Sequence, residues 1–218
     1  MLNIAIDGPA GAGKSTIAKM VAKDLNIIYV DTGSMYRAVA LYLLRSGVDI
    51  HDEAAVSAAC TGADITIAYE NGSQQVYCNG ENVTPFLREE ETGKAASVTS
   101  AVPAVRAHLL QLQKNLAAEN DCVMDGRDIG SVVLPGAKVK VYLTASSAER
   151  ARRRFEELKA AGEAPDFDRI KEDIEKRDYQ DMHREISPLI RAEDAVLIDS
   201  TDMTIPEVAA RIEELCND

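Results

Sequence analysis

A glycine-rich segment with a single lysine stands close to the start of the 218-residue chain. Residues 8 to 15 read GPAGAGKS and match the pattern G-x-x-x-x-G-K-[ST] at every fixed position. In this pattern backbone N–H groups cradle phosphate oxygens, the lysine reaches the β- and γ-phosphates, and the hydroxyl binds Mg²⁺. The segment therefore predicts a nucleoside triphosphate site formed by Gly8, Pro9, Ala10, Gly11, Ala12, Gly13, Lys14, Ser15 and Thr16.

The flanks of this segment supply the context that the pattern needs. The apolar run LNIAI precedes it and predicts a strand. After it, Ile17, Met20, Val21 and Leu25 recur at helical spacing. A glycine-rich turn that matches by accident is the alternative, and the strand–loop–helix order argues against it.

Two arginine clusters follow predicted strands. In DTGSMYR (31–37), Thr32 and Arg37 are candidates for holding an anion, although a plain polar helix start would look the same. In MDGRDIG (124–130), Asp125 ends an apolar strand, where a carboxylate suits a water-mediated Mg²⁺ contact. Arg127 follows at once and could grip a phosphate through two N–H groups, or could lie in a solvated turn.

Two more clusters lie on predicted helices. Arg153 and Arg154 share a helix face with Arg150, which suits either an anion arriving between them or ordinary pairing with nearby glutamates. Arg177, Asp181 and Arg184 recur at helical spacing in RDYQDMHR (177–184). A surface salt bridge that contributes little is the alternative for that set.

Taken together, the loop and the arginines describe two phosphate groups in one cleft. Phosphoryl transfer needs in-line positioning and cations around the phosphate oxygens rather than covalent catalysis by the protein. An arginine-rich helix followed by Gly162 and Pro165 also predicts a lid, at about 147–170, that excludes water. The predicted catalytic residues are Lys14, Arg127, Arg153, Arg154 and Arg184, and the predicted metal ligands are Ser15 and, through water, Asp125.

The elements that must position these residues alternate between strand and helix. Strands are predicted at 2–6, 27–31, 122–125, 138–144 and 195–199, and helices after the loop and at 34–47, 52–60, 86–100, 103–119, 147–161, 168–184 and from 204 onward. This order predicts an α/β fold with a five-stranded, mainly parallel sheet flanked by helices. Together with the loop and the arginines, which suit phosphoryl transfer, we expect a P-loop kinase core that forms one kinase domain over 1–218.

Residues 63–84 depart from this pattern. They alternate with period two and contain Asn71-Gly72 and Asn79-Gly80, which favour tight hairpin turns. We expect a small antiparallel insert within the region that binds the acceptor of the phosphoryl group. It is either a stabilising addition or a part that moves with the acceptor site.

Composition restricts the class of protein. The net charge of -12 argues against a general nucleic-acid binder, and no apolar run reaches the roughly 18 residues of a membrane span. Residues 2 to 6 lack a basic flank, so we expect a cytoplasmic protein without a signal peptide. The four cysteines and three histidines are scattered, which predicts packed thiols rather than a metal site. We expect a monomer that binds neither nucleic acid nor membrane.

At these motifs the chain resembles bacterial cytidylate kinases, within the nucleoside monophosphate kinases. IDGPAGAGKST, DTGSMYR, DGRDIGSVVLPGA, SSAERARRR and RDYQDMHREISPL follow the order of that family over nearly the whole chain. The resemblance implies that MgATP phosphorylates CMP or dCMP. It also implies roles by position: Thr32, Arg37, Arg127 and Arg184 around the CMP phosphate; Ser97, Arg106 and Asp128 at the cytosine edge; Arg177 and Asp181 at the ribose; and Arg153 and Arg154 in the lid.

The chemistry of cytosine is compatible with that reading. An aspartate such as Asp128 can accept from the N4 amino group, and an arginine such as Arg106 can donate to O2 and N3. Uracil carries a carbonyl at C4, so we expect UMP to be a poorer substrate. Two alternatives stay open: a kinase for another small acceptor, such as UMP, AMP or a hydroxy acid, and a nucleotide-sensing module without catalysis. A GTPase is disfavoured because the chain has no N-K-x-D motif.

Overall fold

The computed structural model describes residues 1–217. Within them, eight strands and eight α-helices are joined by turns, two short 3₁₀ segments and one π-helical turn at Ile129–Val133. The strands are β1 (Asn3–Asp7), β2 (Ile28–Asp31), β3 (Ile65–Glu70), β4 (Ser73–Cys78), β5 (Glu81–Asn82), β6 (Cys122–Gly126), β7 (Val139–Thr144) and β8 (Val196–Asp199). The helices are α1 (Lys14–Asp24), α2 (Thr32–Arg45), α3 (Glu53–Ala59), α4 (Glu90–Thr99), α5 (Pro103–Glu119), α6 (Ser147–Ala160), α7 (Phe167–His183) and α8 (Ile205–Asn217).

The main sheet has five strands in the order β2-β6-β1-β7-β8. The pairings of β1 with β6, of β1 with β7, and of β7 with β8 are parallel. Apolar side chains in the central strands, such as Ile4, Val123 and Leu143, are fully buried, as expected for a parallel sheet covered on both faces. The predicted α/β fold with a five-stranded, mainly parallel sheet is confirmed.

The chain divides into two compact units. The P-loop unit contains residues 1–27 and the chain from residue 122 onward, and the central unit contains residues 28–121. The prediction of one kinase domain over 1–218 stays a prediction.

The P-loop unit brings the ends of several strands together at one sheet edge. In the parallel register Asp7 of β1 lies opposite Gly126 of β6 and Tyr142 of β7. The glycine-rich loop leaves β1 at this edge, and the turn that carries Arg127 leaves β6 there. The carboxyl ends of parallel strands are where open α/β sheets place their ligands.

The central unit contains the predicted antiparallel insert, in which β4 pairs with β3 and with β5. Both connections are two-residue turns, at Asn71-Gly72 and Asn79-Gly80. Both residues of each turn have positive φ, from 51° to 82°. Such turns match the twist of the flanking strands, and asparagine followed by glycine is the pair that best tolerates them.

Three predicted helix boundaries differ from the structure. Helix α2 begins at Thr32 rather than at 34, because the Asp31 carboxylate accepts a hydrogen bond from the Ser34 N–H group and caps the helix. The predicted helix 86–100 is a 3₁₀ turn at Thr84–Phe86 followed by α4. Helix α7 is capped by Asp166, whose side chain accepts from the Arg169 N–H group, and not by Asp168.

None of the helices in the described part of the chain is both long and apolar enough to cross a membrane.

Candidate active site

The glycine-rich loop joins β1 to α1 and leaves the helix start open to an anion. Gly8 has a φ of 152°, and a Cβ atom there would collide with the Leu143 carbonyl oxygen. Gly13, at the N-terminal cap of α1, has a φ of 85° and brings no side-chain acceptor to the helix start. The first N–H groups of a helix without such an acceptor form an anion site.

Lys14 is buried at this helix start. Its Nζ atom donates to the Pro9 carbonyl oxygen over 2.7 Å, which folds the side chain back across the loop. Burial lowers the pKa of Lys14, and the positive charge of Arg127 lowers it further. The carboxylates of Asp125, Asp7 and Asp181 act in the opposite direction. Incoming phosphate oxygens would favour the charged form of this lysine in the same way.

Ser15 and Asp125 meet next to the loop. The Ser15 hydroxyl donates to the Asp125 carboxylate over 2.8 Å, and Asp125 is 5% exposed. A hydroxyl and a carboxylate are hard oxygen ligands of the kind that Mg²⁺ prefers. The residues that were predicted as metal ligands therefore lie together and suit this ion.

Asp7, the last residue of β1, holds the turn that follows β6. Its carboxylate accepts hydrogen bonds from the N–H groups of Ile129 and Gly130, over 2.8 and 2.7 Å. Burial raises the pKa of Asp7 to about 6, although both hydrogen bonds favour the ionised form. Sequence reasoning missed this residue. The signal was its place at a strand end directly before the glycine-rich loop.

The turn after β6 and the end of α7 come together in the P-loop unit. Arg127 donates through Nε to the Asp181 carboxylate over 2.7 Å. Arg184, directly after α7, lies 3.8 Å from Asp181 and 3.9 Å from Asp128. Two of the predicted arginines are thus aligned by two of the predicted aspartates.

Asp181 is ionised in this arrangement. Burial alone would raise its pKa, but the charge of Arg127 and its hydrogen bond, with the charges of Arg177 and Arg184, hold the pKa below its usual range. Arg177 thus acts on Asp181 electrostatically, as its helical spacing suggested. A carboxylate that keeps its charge can fix guanidinium groups at defined positions.

The arginines of α6 each have protein partners. Arg153 donates to the Glu149 carboxylate over 2.8 Å and to the Ser200 carbonyl oxygen over 2.7 Å. Arg154 pairs with Glu157 over 2.8 Å, with both side chains at least half exposed. Hydrogen bonds from Arg152 and Arg153 lower the pKa of Glu149 to about 2. In this conformation Arg153 and Arg154 pair with glutamates, which was the alternative to an anion bound between them.

In the central unit, the start of α2 carries the predicted residues Thr32 and Arg37. Thr32 is 2% exposed in the first turn. Arg37 is half-buried, and a Cβ atom on Gly33 would stand 3.3 Å from its Nη1 atom. Among residues 1–217, Arg37 makes no hydrogen bond or ion pair with the protein.

Arg106 and Ser97 lie elsewhere in the central unit. Arg106 is buried near the start of α5, donates to the Ser100 carbonyl oxygen over 3.1 Å, and stands 5.3 Å above the Tyr36 ring. Ser97 is a half-buried residue of α4, and its carbonyl oxygen accepts from the Ser100 hydroxyl over 3.4 Å. Ser100 therefore connects the two predicted cytosine-reading residues.

Comparison with known proteins identifies the family. A family profile described as cytidylate kinase matches residues 4–218. A cytidylate kinase of Geobacillus thermodenitrificans is 49% identical over 215 residues, which cover 99% of this chain and 96% of that protein. A cytidylate kinase of Caldicellulosiruptor bescii is 47% identical, covering 98% of this chain and 95% of that protein. One of Lactobacillus johnsonii is 46% identical, with 99% and 94% covered.

A solved structure supports the fold. The crystal structure of an uncharacterized protein from Eubacterium ventriosum superposes with a TM-score of 0.54 at 10% identity, covering 100% of this chain and 99% of that one. At that identity the likeness concerns the fold alone. The profile and the full-length relatives confirm the predicted family: the chain belongs to the cytidylate kinase family.

Proposed function

We propose that the chain transfers the γ-phosphoryl group of ATP to CMP or dCMP, giving ADP and CDP or dCDP, with the residues described above. As a member of the cytidylate kinase family it is an ATP-dependent enzyme for these acceptors. The observation that best supports the residue roles is the convergence of Arg127 and Arg184 on Asp181, in the same unit as Lys14.

Gly8 to Thr16 bind the phosphates of ATP. The N–H groups of the loop and of the first turn of α1 point at the phosphate oxygens, and Lys14 leaves the Pro9 carbonyl oxygen for the β- and γ-phosphates. The charge of Lys14 then compensates the charge that develops on the transferring group.

Ser15 and Asp125 are the proposed residues for Mg²⁺, with Asp125 acting through a water molecule. When bound, the ion neutralises charge on the β- and γ-phosphate oxygens. The contribution of the chain is to keep a hydroxyl and a carboxylate together at the start of α1.

Arg127 and Arg184 bind the acceptor phosphate. Since Asp181 already orients both guanidinium groups, little side-chain entropy is lost when the phosphate binds. Thr32 and Arg37 are proposed to bind the same phosphate, the first with a hydroxyl and the second with a guanidinium that has no partner among the described residues. The guanidinium cations of Arg37, Arg127 and Arg184 reduce the repulsion between the acceptor and donor phosphates.

Ser97, Arg106 and Asp128 are the proposed readers of cytosine, and Arg177 and Asp181 those of the sugar. An aspartate accepts from the N4 amino group of cytosine but would face a carbonyl in uracil. A buried polar group without a partner costs about 1–3 kcal/mol. UMP should therefore be turned over less efficiently than CMP.

The end of α6, the turn at 161–166 and the start of α7 are proposed to form the lid. The first part of α6 is anchored by Arg150, which donates to the Ala10 carbonyl oxygen over 2.8 Å. Closure is therefore expected beyond that residue, with Arg153 and Arg154 leaving their glutamates for phosphate oxygens. Excluding water in this way protects the triphosphate from hydrolysis.

We further propose a cytoplasmic monomer that acts on free nucleotides. Nucleoside triphosphates and monophosphates are small anions that need only a local basic site. The overall charge of -12 disfavours the phosphate backbone of a nucleic acid. The four cysteines carry free thiols, which suits a reducing compartment.

The test measures ADP release from MgATP with CMP, dCMP, UMP, AMP, shikimate or no acceptor. We expect CMP and dCMP to exceed the other acceptors clearly. Arg127→Ala should reduce turnover by roughly a thousandfold or more while ATP still binds, because an aligned phosphate ligand is lost. Arg211→Ala, which removes an exposed arginine paired with Glu214, is the matched control and should change little. Equal turnover by the two variants would contradict the proposal.

A further inference from the structure

Two neighbouring residues of the antiparallel insert reach the backbone of β2 within the central unit. Tyr69 of β3 and Gln74 of β4 stand opposite each other in the antiparallel register. The Tyr69 hydroxyl donates to the Tyr29 carbonyl oxygen over 3.1 Å. Gln74 bonds to Asp31, two residues further along β2. The insert is thus fastened to the strand that leads into α2.

The side-chain amide of Gln74 uses both of its ends. Its Oε1 atom accepts from the Asp31 N–H group over 2.9 Å, and its Nε2 atom donates to the Asp31 carbonyl oxygen over 3.2 Å. The same Nε2 atom donates to the Ser34 hydroxyl over 2.7 Å. One side chain therefore satisfies both backbone groups of Asp31, as a neighbouring strand would.

These bonds converge on the turn that begins α2. The Asp31 carboxylate accepts from the Ser34 N–H group over 3.0 Å, and the Ser34 hydroxyl donates to the Asp31 carbonyl oxygen over 2.6 Å. Thr32 lies inside this turn, and Arg37 follows one helical turn later. A Cβ atom on Gly33 would stand 3.2 Å from an Asp31 carboxylate oxygen and 3.3 Å from Arg37 Nη1, so the turn leaves little room for displacement.

We propose that Gln74 is a positioning residue for the acceptor nucleotide: it holds the Asp31–Ser34 turn so that Thr32 and Arg37 meet the acceptor phosphate. This inference rests on the proposed function and gives the insert a role in it. Gln74 itself contacts no phosphate. It acts through the backbone of Asp31 and through Ser34, so its loss should weaken acceptor binding and leave ATP binding unchanged.

The chain offers a matched control in the next residue of β4. Gln75 is also half-buried, and its Oε1 atom accepts from the Asn82 amide within the insert over 3.2 Å. Its side chain points to the opposite face of the strand. Gln75→Met and Gln74→Met are therefore the same chemical change, one residue apart, with only the second reaching the turn.

The experiment compares the KM for CMP, the KM for ATP, kcat and the melting temperature in wild type, Gln74→Met and Gln75→Met. For Gln74→Met we expect the KM for CMP to rise about tenfold, because hydrogen bonds that hold the turn are lost, with the KM for ATP within about twofold. Gln75→Met should keep the KM for CMP even if its melting temperature falls. A merely structural role of Gln74 would shift stability without separating the two KM values.

A second variant decides the matter if Gln74→Met does not fold. Gln74→Glu keeps the bond from the Asp31 N–H group but places an oxygen against the Asp31 carbonyl oxygen and removes the donor to the Ser34 hydroxyl. It should raise the KM for CMP at least as much. If wild type turns over CMP and the Gln74 variants match Gln75→Met, this inference fails alone. If wild type does not use CMP or dCMP, the proposed function fails.

Discussion

The starts of α6 and α2 each carry an arginine shortly after a strand, but the two side chains are in opposite situations. Arg150 of α6 is 5% exposed and donates to the Ala145 and Ala10 carbonyl oxygens over 2.9 and 2.8 Å and to Asp178 over 2.5 Å. Arg37 of α2 is half-buried and has no hydrogen bond or ion pair with residues 1–217. Arg150 stabilises the fold through these contacts, whereas Arg37 is available to bind a ligand.

This difference extends to how each region is fixed. The P-loop unit uses charged pairs that are buried, as Arg150 with Asp178, or half-buried, as Arg127 with Asp181. The start of α2 is fixed by the neutral amide of Gln74 and hydroxyl of Ser34, together with one charged group, the Asp31 carboxylate that caps the helix. Buried charged pairs are sensitive to the loss of one partner and to pH, whereas neutral hydrogen bonds depend mainly on geometry.

The largest effect on stability is expected from Arg150→Met. The substitution leaves Asp178, 9% exposed, without the guanidinium that compensates its charge, and breaking such a buried pair typically costs about 3–5 kcal/mol. The measurement is the free energy of unfolding from urea denaturation. Arg152→Met, at a residue whose side chain is 60% exposed, is the control and should cost less than about 1 kcal/mol.

A double variant sharpens this prediction. Arg150→Met combined with Asp178→Leu replaces the whole pair by apolar side chains and should recover much of the loss, since no charge stays buried. A loss below about 1 kcal/mol for Arg150→Met alone would mean that Arg150, like Arg37, is not needed for the fold.

Much of the P-loop could be predicted because contiguous residues form it. Strand, glycine loop and helix follow one another, and their spacing is set by local backbone geometry. The family-specific motifs allowed Arg127, Asp181 and Arg184 to be named together. The long-range hydrogen bonds that hold these segments could not be predicted. Asp7 and Gly130 are 123 positions apart in the chain, and Asp31 and Gln74 are 43 positions apart. No periodicity or motif encodes such pairings. Asp166 and Asp168 compete for one cap, and spacing does not decide between them.

The second prediction concerns the buried charge of Asp7. Its pKa rises from an ordinary 3.8 to about 6 on folding. Between these values the unfolded chain has lost the proton and the folded chain keeps it, so this group lowers stability as the pH rises through that window. The difference corresponds to about 3 kcal/mol. Relative to Asp7→Asn, wild type should therefore lose most of that amount, roughly 2 to 2.5 kcal/mol, of unfolding free energy between pH 4 and pH 7.

Asp199, at the end of β8, provides a control of opposite sign. Hydrogen bonds from the hydroxyl and N–H groups of Thr201 lower the pKa of Asp199. Its contribution is present above the unfolded pKa and is lost as the pH falls through the folded pKa. Relative to Asp199→Asn, wild type should gain stability as the pH rises toward the unfolded pKa of 3.8 and should then change little between pH 4 and pH 7, where the Asp7 comparison falls. Parallel pH profiles for the two comparisons would show that Asp7 does not titrate as its burial predicts.

The smallest effect on stability, and the most selective effect on activity, is expected from Arg37→Met. Because Arg37 has no protein partner among the described residues, the free energy of unfolding should change by less than about 0.5 kcal/mol. A hydrogen bond to a charged group contributes about 1.5–3 kcal/mol, so the KM for CMP should rise by about tenfold to a hundredfold. The KM for ATP is the internal control. Arg150→Met should instead reduce the free energy of unfolding strongly. A loss of unfolding free energy for Arg37→Met as large as that for Arg150→Met would contradict the distinction between the two arginines. An unchanged KM for CMP would instead remove Arg37 from the acceptor site.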